Sequence, residues 1–160
     1  MKKVILLLAV VFSTTAFAQS TLKDDVDVVQ SVYGKSKSEL VSQYMALTGT
    51  QAADFTKIYD SYEAERKKLG QEKIQLINQY ATDYGALTDD KADVIAKGAL
   101  KNNVAYDKLY LSYYEKVKKA VGAVNAAKFI QLEVYLQTEI RSSLQNAIPF
   151  VGELDMTKVK

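Results

Sequence analysis

Between Phe55 and Leu87 a residue able to pack recurs at alternating spacings of four and three: Phe55, Tyr59, Tyr62, Arg66, Leu69, Lys73, Leu76, Tyr80, Asp83 and Leu87. A 4,3 repeat sustained that far fits one helix lying along another, and it excludes strands, whose side chains alternate with a period of two. Ala92, Ala96, Ala99, Asn103, Tyr106, Tyr110, Tyr113, Val117 and Ala120 repeat the spacing. The two runs predict long helices that pack antiparallel through a turn near Ala86 to Thr88, each about 50 Å at 1.5 Å per residue. The one proline is Pro149, and no Gly- or Ser-rich linker divides the chain. The expectation is an all-α domain built on an elongated antiparallel helical hairpin with additional packing helices.

Helix starts reinforce this reading. Leu47-Thr48-Gly49-Thr50-Gln51 has an apolar residue before a Thr N-cap and a Gln at the third helical position, which predicts a reciprocal capping box. Leu87-Thr88-Asp89-Asp90-Lys91 repeats the Thr cap and adds two acids that favour the positive end of the helix dipole. Lys91 stands where the reciprocal Gln would be, so half of that box is expected.

The second long helix bears a further stripe at Leu100, Val104, Leu111, Tyr114 and Val121, turned by about 100° from the first, so it should touch two neighbours. Gly122 breaks the chain, and Val124, Ala127, Phe129, Leu132, Leu136, Ile140 and Leu144 mark a fourth helix ending before Pro149. That helix is the natural owner of the stripe, with a partner subunit as the other candidate. Upstream, Val26 to Ala46 reads as a weaker helix or helix pair, with Val29, Val32, Leu40, Val41 and Tyr44 inward and a break at Gly34. Gly70, inside the first long helix, is expected to face Ala105 across a close approach.

Lys2 and Lys3, the apolar run from Val4 to Phe12, and Ala16-Phe17-Ala18 have the order of a secretory signal peptide cut after Ala18. The apolar run falls short of the roughly 20 residues that cross a bilayer. The expected organisation is a signal peptide at 1–18, a single helical domain at 19–149 and a loose tail at 150–160, with a periplasmic or secreted product that makes no stable membrane insertion. Removing Lys2 and Lys3 from 21 basic residues leaves 19 against 19 acids. No basic excess then remains for nucleic acid. The chain has no Cys and no His. Disulfides, thiol catalysis, imidazole metal sites and Ser-His-Asp triads are thereby excluded, and no cofactor or metal is expected.

The Leu-Thr-x-x-Gln box at Leu47, Thr48 and Gln51, its partial repeat at Leu87 and Thr88, the signal peptide and the helical hairpin resemble the Spy/CpxP-type LTXXQ periplasmic proteins. A likeness covering almost all of the mature chain is to uncharacterised exported relatives of that group. It runs through Phe55-x-x-x-Tyr59-x-x-Tyr62-x-x-Glu65, Lys128-Phe129-x-Gln131-Leu132-Glu133 and Ile148-Pro149. The resemblance implies an ATP-independent chaperone or envelope-stress protein, a homodimer forming a curved cradle for unfolded clients. Metal-responsive relatives use His-rich or Met-rich sites, which this chain lacks: Met45 and Met156 are its mature methionines.

All 11 tyrosines lie in the mature chain, and at seam positions a tyrosine packs its ring while its hydroxyl reaches solvent. Tyr114, Leu109 and Leu111 are expected on an exposed amphipathic face able to bind clients. Arg66, Lys67, Lys116 and Lys119 belong to basic clusters that could flank it across the hairpin. Glu63–Lys67, Asp93–Lys97 and Glu115–Lys119 are spaced as solvent-facing ion pairs. Asp89 and Asp90 are explained by helix-start electrostatics rather than as a catalytic dyad. The reading is a non-enzymatic binding protein acting on unfolded clients, the alternative being a structural or signalling subunit with one dedicated envelope partner.

Overall fold

The computed structural model describes residues 36–146, which form four helices: α1 (Lys37–Met45), α2 (Gly49–Asp83), α3 (Asp89–Val121) and α4 (Ala123–Asn146). A short 3-10 turn, Tyr84–Ala86, links α2 to α3. No strand occurs among the described residues. The signal peptide, the part of the upstream helix before Ser36, Pro149 and the tail at 150–160 lie outside the described residues.

The predicted hairpin is present. On α2, Phe55, Tyr59, Tyr62 and Arg66 are buried, and Leu69, Lys73, Leu76, Tyr80, Asp83 and Leu87 continue the seam half-buried. On α3 the seam holds from Tyr106 to Val117, and Ala92 and Asn103 are half-buried as expected, but between those two the packed positions run one place off the expected register. Ala96 and Ala99 are exposed, whereas Ile95, Gly98 and Asn102 face α2 or sit half-buried. The cause is local: a Cβ built on Gly98 would lie 2.6 Å from Leu76 Cδ2, so Leu76 rests where a side chain would otherwise stand. Close approach was expected at Gly70. Gly70 is buried, and next to it Asn102 Nδ2 donates to the Leu69 carbonyl at 2.9 Å; Gly98 is a second glycine of the hairpin, and it admits a facing side chain.

Gly122 takes φ +87°, a conformation that suits glycine, and lets α4 fold back onto α3 after a single residue. Phe129 then enters the seam, its ring edge-on to Tyr62 at 5.2 Å and to Phe55 at 5.5 Å, while Tyr62 also meets Tyr113 at 5.3 Å. Burying one such ring contributes about 1.5–3 kcal/mol. On α4, Val124 and Ala127 face outward, contrary to expectation, and Ala126, Glu133 and Gln137 are buried instead. A smaller cluster joins Ile140 and Leu144 to Leu40 of α1 and Ile77 of α2.

The caps also differ from the reading. Thr48 makes no side-chain cap bond, and Gly49 immediately after it sits at φ +59°. A complete capping box stands at Ser36 instead: the Glu39 amide donates to Ser36 Oγ, and the Ser36 amide donates to Glu39 Oε2 at 2.9 Å. At α3, Thr88 Oγ1 accepts from the Lys91 amide at 3.4 Å, the expected half box. In α1, Val41 is buried and Leu40 half-buried, but Tyr44 is exposed; Lys37 and Met45 take the inward positions.

Candidate functional site

Two faces of the hairpin differ in kind. One is covered by α4 and α1 and holds a buried charge network. Lys37 Nζ donates to Glu63 Oε1 of α2 and to Glu133 Oε2 of α4, both at 2.6 Å. Tyr62 hydroxyl donates to the same Glu133 oxygen at 2.7 Å. Arg66 Nε donates to Glu63 Oε1 at 2.8 Å. Two cations face two anions, which is the condition for tolerating buried charge. Burial by itself would raise the Glu63 carboxyl, yet Lys37 and Arg66 hold it below the ordinary carboxylate value. Burial, followed by the Glu133 charge, pushes the Tyr62 hydroxyl well above the usual phenol value.

The other face is open. Along it α2 and α3 leave a shallow groove of two lobes, about 460 and 410 Å³, that share Glu72 and Ala105. Leu69, Leu76, Ala105 and Leu109 form its apolar floor. Glu65, Lys68 and Glu72 line the α2 side, and Lys101 and Lys108 the α3 side. At the end of the smaller lobe, Tyr113 hydroxyl donates to Glu65 Oε1 at 2.7 Å, and Lys116 Nζ lies over the Tyr113 ring at 3.8 Å. Burial and the bond to Glu65 push the Tyr113 hydroxyl up to about 12.

These positions sort the expected binding residues. Leu111 is exposed at 67%, as expected. Leu109 is buried at 7% and reaches the surface only as groove floor; Tyr114 is half-buried against the main core. Arg66 is 1% exposed and belongs to the charge network, so it offers nothing to a client. Lys67, Lys116 and Lys119 are exposed; Lys116 and Lys119 continue the Lys108-Ser112 spacing of the groove side of α3, whereas Lys67 falls on a different side of α2. Of the three expected surface pairs, Asp93–Lys97 forms at 2.7 Å. Glu63 pairs inward, and Glu115 meets Lys118 rather than Lys119, at 3.6 Å.

Of the second stripe of α3, Val121 is buried and Tyr114 half-buried in the core that α4 shares, but α4 leaves the other three residues uncovered. Leu100, Val104 and Leu111 remain 64%, 51% and 67% exposed, on the side turned away from the buried residues of that helix. The stripe and the groove thus give α3 two apolar surfaces. Neither Lys37 nor Glu133 was singled out as a core residue in the sequence; the signal was an acid and a lysine at helical core spacing, which reads equally well as surface. No protein family, curated protein or solved structure matches the chain.

Proposed function

We propose that the mature chain is an exported helical binding protein, chaperone-like or acting in envelope stress, that holds unfolded clients without nucleotide and without chemistry. The observation that carries this reading is the open α2–α3 face: a long apolar floor between charged walls, shallow and unenclosed, suited to segments of many sequences rather than to one small molecule. The exposed Leu100, Val104 and Leu111 add a second apolar surface on the same helix. No described helix is long and apolar enough to cross a membrane. The signal-peptide pattern and the likeness to Spy/CpxP-type proteins supply the compartment and the client class in this proposal, and a homodimer would enlarge the binding face.

The test is suppression of aggregation of two unrelated denatured proteins by the purified mature chain at near-stoichiometric ratio, with no nucleotide. Protection of both is the expected outcome. Protection of neither transfers the case to a structural or signalling subunit with one dedicated partner.

A further inference from the structure

The groove has a seven-residue repeat on both walls. On α2, Glu65 and Glu72, Lys68 and Gln75, and Leu69 and Leu76 form pairs seven apart. On α3, Gly98, Ala105 and Ser112 form one column; Lys101 and Lys108, and Asn102 and Leu109, form two more. Two helices whose exposed groove repeats every seven residues present the surface that a third helix meets in a coiled coil. The column of Gly98, Ala105 and Ser112 is small throughout, and at Gly98 the side chain of Leu76 already fills the place of a Cβ. Asn102, 4% exposed at the floor, uses its Nδ2 on the Leu69 carbonyl while its Oδ1 has no partner.

Apart from Lys68 on the α2 side, the walls carry opposite charge at matching levels. In one lobe Glu72 of α2 stands across from Lys101 of α3, and in the other Glu65 stands across from Lys108. The groove keeps these charges apart: Glu72, Lys101 and Lys108 make no ion pair among the described residues.

We infer that the groove binds client segments as an amphipathic helix with a heptad apolar stripe, one basic flank and one acidic flank. This rests on the binding role proposed above and specifies its ligand. The stripe lies on Leu69, Leu76, Ala105 and Leu109; the basic flank faces Glu65 and Glu72, and the acidic flank faces Lys101 and Lys108. Reversing a helix in a groove exchanges its flanks, so the opposed walls also select one chain direction.

The experiment uses three synthetic peptides of three heptads each against the full mature protein. The first has Leu at the stripe, Lys on one flank and Glu on the other. The second has Lys on both flanks, and the third is a scramble of the first without a stripe. The first is expected to bind at least about tenfold tighter than the others. Lys101→Glu with Lys108→Glu places a pair of acids on each wall, with Lys68 the remaining base of the lining, and is expected to transfer the preference to the second peptide. Lys101→Gln with Lys108→Gln, which only neutralises the wall, is expected to abolish the advantage of the first; it decides the matter if the reversed variant does not fold. Equal binding of all three peptides, or a preference unchanged by either variant, overturns the inference. So does concentration-dependent self-association that the first peptide competes away, because the occupant is then a second copy of the chain. Aggregation suppression without binding of the first peptide refutes the helical ligand and leaves the binding role standing; peptide binding without suppression removes the chaperone role alone.

Discussion

Lys37 Nζ lies 2.6 Å from Glu133 Oε2, joining the first turn of α1 to the middle of α4 across 96 positions of sequence. The same ammonium binds Glu63, so one buried lysine fastens the shortest helix to both α2 and α4. Replacing it by an apolar residue of similar length leaves Glu63 and Glu133 buried with one cation, Arg66, beside Glu63. Lys37→Met is expected to cost about 3–5 kcal/mol in urea unfolding. Adding Glu133→Gln, which still accepts from Tyr62, is expected to restore part of that loss. The pH dependence gives an independent reading. The Glu63 carboxyl is lowered in the fold, so its contribution is present above the unfolded carboxylate value and is lost as pH falls through its lower folded value. Lys37→Met raises the folded value and should flatten this acid limb; an acid limb unchanged from the wild type would contradict the assignment.

At the alkaline end the tyrosines govern. Burial raises the Tyr59, Tyr62 and Tyr110 hydroxyls far above the ordinary phenol value, and Tyr113 is pushed up to about 12. A group raised in the fold favours the folded state fully below its unfolded pKa, near 10, and that preference is lost as pH rises toward the folded value. Absorbance at 295 nm should therefore show part of the tyrosine ionisation delayed well beyond the ordinary phenol range. A second step above about pH 12 should coincide with loss of helical circular dichroism. Ionisation of all tyrosines in one step near pH 10 would contradict the buried placement.

The two Ser/Thr caps before α1 and α2 separate motif from geometry. Ser36→Ala removes a hydroxyl that accepts from the Glu39 amide and is expected to cost about 1 kcal/mol. Thr48→Ala removes a hydroxyl with no cap bond and should cost only a few tenths. Thermal denaturation of the two variants checks the order; a larger loss at Thr48 would mean that its hydroxyl does cap α2.

How far the sequence disclosed this architecture depends on what each position needed to know. The seam from Phe55 to Leu87 was legible because its period is a property of one helix and its ends carry Thr and Gly signals. The capping box at Leu47–Gln51 was not, since the same letters fit a helix whose glycine takes φ +59°. Leu109 was given to a surface, and Arg66 both to the packing seam and to a basic surface cluster, because position on a helix names a direction, not a neighbour. α1 and α4 turn the Arg66 direction into core, and the groove leaves Leu109 as a floor. The groove was written in the chain as repeated pairs seven apart, Glu65 with Glu72 and Lys101 with Lys108, but such pairs become a site only once α2 and α3 are set side by side. The register slip near Gly98 arises from one side chain, Leu76, occupying the place of a missing Cβ.

Leu100, Val104 and Leu111 allow binding to be separated from folding. All three are more than half exposed on a helix whose opposite side is packed, so their replacement removes apolar surface without opening a cavity. Leu100→Gln, Val104→Gln and Leu111→Gln combined should change unfolding stability by no more than about 0.5 kcal/mol per site, since Gln is a good helix former and nothing buried is lost. If clients use this stripe as well as the groove, the triple variant should suppress aggregation more weakly while still binding the two-signed helical peptide unchanged, because that peptide meets α3 on its groove side. Loss of peptide binding in a fully folded triple variant would place the peptide on the stripe and contradict the groove. Undiminished suppression would restrict client contact to the α2–α3 groove.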